Sequence, residues 1–245
     1  RTVTGVQTCA LPIYANGCSQ TTSVVITEPA PFTASITNSV DVLCFGGNNG
    51  QATVTPAGGA GIYTYSWVPS GGTGATENNL IAGTYTVIVA DQNGCLAATS
   101  VIINEPPVLT VAIANSTNVS CNGAGDGSAS VNVGGGTGTY TYDWQPLGGN
   151  AATANNLPAN TYTCNITDAN GCVTSTTVVI TEPTLITANI TNSVNVLCFG
   201  GNNGSATVTP AGGTGIYTYS WVPSGGTGDT ENNLTAGTYT VVVAD

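Results

Sequence analysis

The sequence runs to 245 residues with twelve acidic side chains, a single basic one, no His and a formal net charge of −11. A chain so poor in cations cannot neutralise phosphates, which excludes nucleic acid as a partner, and the same deficit excludes anionic membrane surfaces. The 41% of hydrophobic residues suffices for packed cores, yet no apolar run approaches the roughly twenty residues of a bilayer span, so membrane insertion is not expected.

Residues 1–13 stand apart from everything that follows. Read back into codons, Val3–Ile13 resembles a sequencing-library adapter translated in frame, and residues 1–13 are set aside as a non-native scar. From Tyr14 onward the chain repeats every 77 residues without a gap. Cys44, Cys121 and Cys198 keep this spacing, as do Trp67, Trp144 and Trp221, Glu28, Glu105 and Glu182, and Cys18, Cys95 and Cys172. The period predicts the last strand of a truncated repeat at 14–29, repeats at 30–106 and 107–183, and a repeat at 184–245 that lacks its last strand. The chain is read as a fragment of a longer repetitive polypeptide.

Within the unit 30–106, short β-type runs alternate with turn chemistry. "TASIT" (33–37), "VDVL" (40–43), "QATVTP" (51–56), "IYTYSWV" (62–68), "ENNLI" (77–81), "TYTVIVAD" (84–91) and "LAATSVIIN" (96–104) are the expected strands. "FGGNNG", "AGGAG", "SGGTG" and "QNG" between them supply the positive-φ residues of tight turns. No segment has the 3.6-residue period of an amphipathic helix. Seven short strands in under eighty residues predict an all-β, immunoglobulin-like antiparallel sandwich, repeated in tandem as a semi-rigid rod. Trp67, Trp144 and Trp221 are its expected large core residues, and Tyr85, Tyr162 and Tyr239 the core aromatics of a tyrosine corner in "LIAGTY" and its equivalents. Cys164, two residues after Tyr162, is read as a small buried apolar residue.

Cysteine at fixed phases, without His or closely spaced Cys pairs, favours a disulfide framework in an oxidising, extracellular setting over zinc. Pairing within the unit gives Cys44–Cys95 and Cys121–Cys172. Pairing across the boundary gives Cys18–Cys44, Cys95–Cys121 and Cys172–Cys198. The first is preferred, because a bridge closing about fifty residues stabilises a small core by roughly 4 kcal/mol in the chain-entropy model. A strict up-and-down strand count opposes it, since it puts Cys44 and Cys95 at opposite ends of the sandwich.

No catalytic template fits. His-dependent arrangements and phosphate loops lack their key residues, and the recurring acids sit in a linker (Glu105) and a hairpin (Asp91), where acids are normally solvated. Asp91 and Asp168, in "DQNG" and "DANG", are weak calcium candidates beside a preferred Asx-turn reading. No cofactor is expected.

Together these pieces, a Cys-x-Gly start, Tyr-x-Tyr-x-Trp, Leu-x-Ala-Gly-Thr-Tyr, Asp-x-Asn-Gly-Cys and a closing Glu-Pro, resemble the SprB repeat of gliding-motility adhesins from Bacteroidota. The second unit departs with "NLPANTYTC" where the first has "NLIAGTYTV". The resemblance implies a very large protein exported by the type IX secretion route and displayed on the cell surface, whose repeats build a stalk or adhesive body. It implies neighbouring repeats, surface polysaccharide or other cells as partners, and no catalytic residues. The alternatives are a carbohydrate-binding sandwich module and a spacer in a secreted multidomain enzyme.

Overall fold

Alternating Thr, Val and Tyr between glycine-rich turns make strands and nothing else. The computed structural model describes residues 22–245, and among these residues every regular element is a β-strand. The scar, Tyr14, Cys9 and Cys18 lie outside the described residues. The chain divides into two compact units, Arg1–Glu105 and Pro106–Asp245.

In the first unit, residues 22–31 carry no strand and are exposed. Of the last strand expected at 14–29, residues 14–21 lie outside the described residues and 22–29 are in extended, unpaired chain. Six strands follow: β1 (Thr33–Val40), β2 (Gly50–Ala57), β3 (Thr64–Val68), β4 (Thr76–Leu80), β5 (Gly83–Ala90) and β6 (Leu96–Ile103). β1, β2 and β4 form one antiparallel sheet, in the order β1-β2-β4, and β3-β5-β6 form the other. Strands one, two and four in one layer against three, five and six in the other is the partition of the immunoglobulin sandwich, with one strand fewer. The expected separate strand at 40–43 is absent. β1 instead runs on to Val40 across a register shift between Ile36 and Asn38, and Val42 drops into the core with its N–H on the Asn104 carbonyl (2.9 Å). The weak signal at "ENNLI" also has a cause: Asn79 takes φ +57°, a left-handed conformation beside the register shift at Gly50/Gln51, so the strand is short and bent.

Repeat two has the same plan, with β7 (Thr110–Thr117), β8 (Gly127–Gly134), β9 (Thr141–Gln145), β10 (Thr153–Leu157), β11 (Asn160–Thr167) and β12 (Val173–Ile180) in sheets β7-β8-β10 and β9-β11-β12. Repeat three supplies β13 (Thr184–Val194), β14 (Gly204–Gly213), β15 (Thr218–Val222), β16 (Thr230–Leu234) and β17 (Thr240–Ala244); its second sheet, β15-β17, has two strands.

Each complete repeat encloses its own core. In repeat one Trp67 pairs across the sheet with Val87, and the two bury against Val54, Leu80, Tyr85 and Ile103. Repeat two repeats this with Trp144 opposite Cys164, packed with Leu157, Tyr162, Ile166 and Ile180. Strands of five to eight residues give each layer few inward positions, so one indole per repeat supplies a large share of the buried area. In repeat three, where no third strand covers the β15-β17 sheet, a cavity of about 430 Å³ opens beside Trp221, Leu234 and Tyr239. Ile103 and Ile180 sit against Gly50 and Gly127 in the other repeats, whereas Gly204 has no such neighbour.

Candidate functional site

The three tryptophans lie where the sequence puts them, on β3, β9 and β15, and are 1–2% exposed. Each donates its indole N–H to a turn carbonyl seven residues on: Gly74 (2.9 Å), Ala151 (3.0 Å) and Gly228 (2.9 Å). That bond satisfies the polar end of an otherwise buried ring and pins the following turn. The tyrosine corner is formed in all three repeats, with hydroxyls donating to the carbonyls of Ile81 (3.1 Å), Pro158 (2.9 Å) and Thr235 (3.1 Å). Tyr85 and Tyr162 are buried, but Tyr239 is only half-buried, because the sheet that would cover it has two strands. Tyr63 and Tyr65, expected to be internal, are half-buried; Tyr63 stacks on Phe32 at 5.7 Å and donates to the Gly58 carbonyl.

Asp91 and Asp168 are the finding the sequence did not announce. They are not solvated turn acids but 7% and 5% exposed. One Asp91 oxygen accepts the N–H groups of Asn93 (2.9 Å) and Cys95 (2.8 Å), and the other accepts that of Ala60 (2.9 Å) from a loop 31 residues earlier. Asp168 does the same with Asn170, Cys172 and Thr137, all at 2.9 Å. The Asx turn is therefore real, and it also clamps the β5–β6 hairpin, or β11–β12 in repeat two, to the loop after β2 or β8. Gly59 and Gly136 make room for it, since a Cβ there would stand 2.9 and 2.8 Å from the carboxylate oxygen. With their oxygens engaged by backbone amides, these carboxylates serve a local fold. Among the described residues no three His, Cys, Asp or Glu side chains converge as metal ligands do.

Burial alone would push the Asp91 carboxyl up, but the N–H groups of Ala60, Cys95 and Asn93 more than offset it and hold its pKa below the ordinary 3.8. Asp168 is lowered in the same way, by Cys172, Thr137, Asn170 and Gly171 against burial. A carboxylate whose folded pKa is depressed adds stability that is fully present above its unfolded pKa and is lost as pH falls through the folded value. Near-ultraviolet circular dichroism of the tryptophans should thus be flat from pH 7 to about 4 and collapse below that. The Asp91→Asn/Asp168→Asn double variant should melt at lower temperature at pH 7 and lose less stability between pH 4 and 2 than the parent.

The linker acids also have partners: Glu105 accepts the Gly46 N–H (2.6 Å) and Glu182 that of Gly123 (2.8 Å). They fasten the loop after β1 or β7 to the point where the chain leaves the repeat.

Of the cysteines, Cys44 and Cys172 are disulfide-bonded, while Cys95, Cys121, Cys164 and Cys198 are free thiols. The expected bridges Cys44–Cys95 and Cys121–Cys172 are therefore not formed. Cys95 sits just before β6, in the hairpin held by Asp91, whereas the Cys44 loop is bonded to Asn104 and Glu105 beyond the far end of that strand. Eight extended residues span about 27 Å, and a bridge tolerates a Cα separation of about 7 Å at most. Cys121 and Cys172 are set apart in the same way by β12. Cys164 is fully buried, as expected, and burial pushes its thiol pKa up.

The SprB repeat family matches the chain at three places, residues 36–74, 113–149 and 190–226, one in each repeat. Among solved structures, the three N-terminal domains of the bacteriophage RB49 highly immunogenic outer capsid protein (Hoc) are 21% identical over 78% of this chain and 75% of theirs, with a TM-score of 0.41. Extracellular domains 3–5 of Drosophila OTK are 12% identical over 88% of this chain and 94% of theirs (TM-score 0.26). Domains 4–9 of the surface layer protein SbsC are 14% identical over 80% of this chain and 40% of theirs (TM-score 0.27). No curated protein matches the chain. The immunoglobulin-like assignment rests on the strand order above and not on these likenesses.

Proposed function

We propose that the three SprB repeats of this chain, a repeat region of a cell-surface protein, form part of the stalk and adhesive body of a large secreted adhesin and carry no catalysis of their own. The observation that carries this reading is the self-contained core of each complete repeat. Trp67 and Trp144 are each sealed inside a separate cluster, so a repeat can be added or removed without opening its neighbours. The groups with unusual surroundings support it too, since Asp91, Asp168, Glu105 and Glu182 are all spent on backbone N–H groups. Such fittings hold shape under load; they present nothing to a substrate.

A stalk separates its ends. A compact 245-residue globule has a radius of gyration of about 18 Å. Small-angle scattering of the full chain should give a value on the order of twice that, and a value near 18 Å would refute the stalk. Adhesion is tested on a glycan array and on cell surfaces coated with the chain. Saturable binding there makes the repeats themselves the adhesive element, and its absence confines them to spacing.

A further inference from the structure

We propose that repeat three is an acceptor for an added strand, and that residues 22–29 of a second copy of this chain supply it, so that copies join head to tail. This stands whether or not the region adheres. In repeats one and two the middle strand of the second sheet has a neighbour on each side: β5 lies between β3 and β6, and β11 between β9 and β12. β17 holds the same position in repeat three, yet among the described residues it pairs with β15 alone. Its outer edge presents a row of backbone N–H and C=O groups, the template on which another strand adds.

The space beside that edge is apolar. Ile190, Val194, Ala206, Trp221, Leu234 and Tyr239 line the cavity of about 430 Å³. In the sister repeats the last strand packs over the first, β6 on β1 and β12 on β7, and its final isoleucine closes the end of the core. A Cβ on Gly50 or Gly127 would stand 2.8 or 2.7 Å from an Ile103 or Ile180 methyl, whereas no isoleucine reaches Gly204. The vacancy therefore has a known shape, that of a strand ending in isoleucine.

Residues 22–28 have that sequence. "TSVVITE" matches 176–182, "TTVVITE", at six of seven positions. Its Val24, Val25 and Ile26 are 75, 76 and 82% exposed. Laid on β17 in the register of β6 on β5, Thr22 falls opposite Val241, Val24 opposite Tyr239 and Ile26 opposite Gly237. Ile26 then takes the place of Ile103 and Ile180, against Gly204.

The polar groups agree as well. In repeat one Asp41 accepts the Asn104 N–H, Val42 donates to the Asn104 carbonyl and Gly46 donates to Glu105. Repeat two makes the same three bonds, with Asn118, Val119 and Gly123 meeting Thr181 and Glu182. Asn195, Val196 and Gly200 hold these positions in repeat three and make no such bond; Val196 is only half-buried where Val42 and Val119 are sealed. Thr27 and Glu28, next after Ile26, are the residues that complete the set. Donor and acceptor are different surfaces, so the contact is heterologous and propagates from copy to copy.

The test is sedimentation of the full chain over a wide range of concentration, its exposed thiols capped with iodoacetamide so that Cys95, Cys121 and Cys198 cannot link copies. The weight-average mass should climb above the 24.3 kDa of one copy as concentration rises. Ile26→Asp, placed in an exposed segment outside any core, should hold the chain at the mass of a single copy. Glu28→Ala, which removes the bond to Gly200, should weaken association roughly ten- to hundredfold. An excess of a synthetic peptide of residues 173–183 should cap repeat three and dissociate the copies, while the same peptide carrying Ile180→Asp should not. A mass of one copy at every concentration would overturn the proposal. So would association that survives Ile26→Asp, or that the peptide leaves untouched.

Discussion

Trp144→Ala is expected to unfold repeat two while leaving the other two repeats standing. The substitution empties the middle of a core that closes over one indole, and Trp-to-Ala changes in cores cost about 3–5 kcal/mol. It also strands the Ala151 carbonyl, which loses its indole N–H donor. A folding unit of 77 residues has roughly 4–12 kcal/mol of stability in all. Domains this small fall toward the low end of that range, where the change takes most of what repeat two has. Calorimetry of the full chain should show the melting of one repeat disappear and that of the others persist. Trp144→Phe, which keeps most of the volume and loses the N–H, should cost less than half as much. If Trp144→Ala instead lowers all three repeats together, the cores are not independent.

Gly135→Ala should be nearly as damaging, for a different reason. Gly135 has φ +71°, and a Cβ placed on it would lie 1.9 Å from the carbonyl oxygen of Val108, where the chain enters β7. Backbone against backbone leaves no rotamer to relieve the clash. The Gly135 carbonyl also receives the Tyr140 hydroxyl at 2.6 Å, so any shift of the loop breaks that bond. The left-handed conformation costs about 1–2 kcal/mol for a residue with a Cβ, and a forced backbone displacement about 1–3 kcal/mol more. Gly149→Ala separates the two contributions, because Gly149 has φ +82° and nothing within 4 Å of its would-be Cβ. Urea titrations should place Gly149→Ala about 1–2 kcal/mol below the parent and Gly135→Ala about 2–5 kcal/mol below it, with Gly135→Ala the lower of the two.

The features legible in the sequence are those whose partner is close along the chain. Trp67 and Gly74 are seven residues apart, Tyr85 and Ile81 four, and Asp91 and Cys95 four, so each motif carries its own geometry in a few letters. What the sequence hid was long-range. The bond between Asp91 and Ala60 spans 31 residues, and nothing in "DQNG" says that a loop will close over its carboxylate. A hint was present in the fixed interval between that aspartate and the Gly58-Gly59 pair. The preference for Cys44–Cys95 failed because the chain-entropy argument weighs loop length and ignores where β6 carries its two ends. The strand count was one too high because "VDVL" has strand composition, whereas in the structure its only ties to the chain at 104 are the Asn104 N–H on Asp41 (2.8 Å) and the Val42 N–H on the Asn104 carbonyl (2.9 Å), while the Val42 side chain fills the core.

Cys164 turns repeat two into its own tension gauge. Val87 and Val241 hold that place in the sister repeats, so this sealed thiol marks one repeat of the three. A thiol reagent cannot reach it until the two sheets of repeat two part, since it sits on β11 beside Trp144 and is buried against the core residues of the facing sheet. Labelling of Cys164 in a chain under pull or in mild denaturant therefore clocks the opening of that single repeat, against Cys121 as the always-accessible reference.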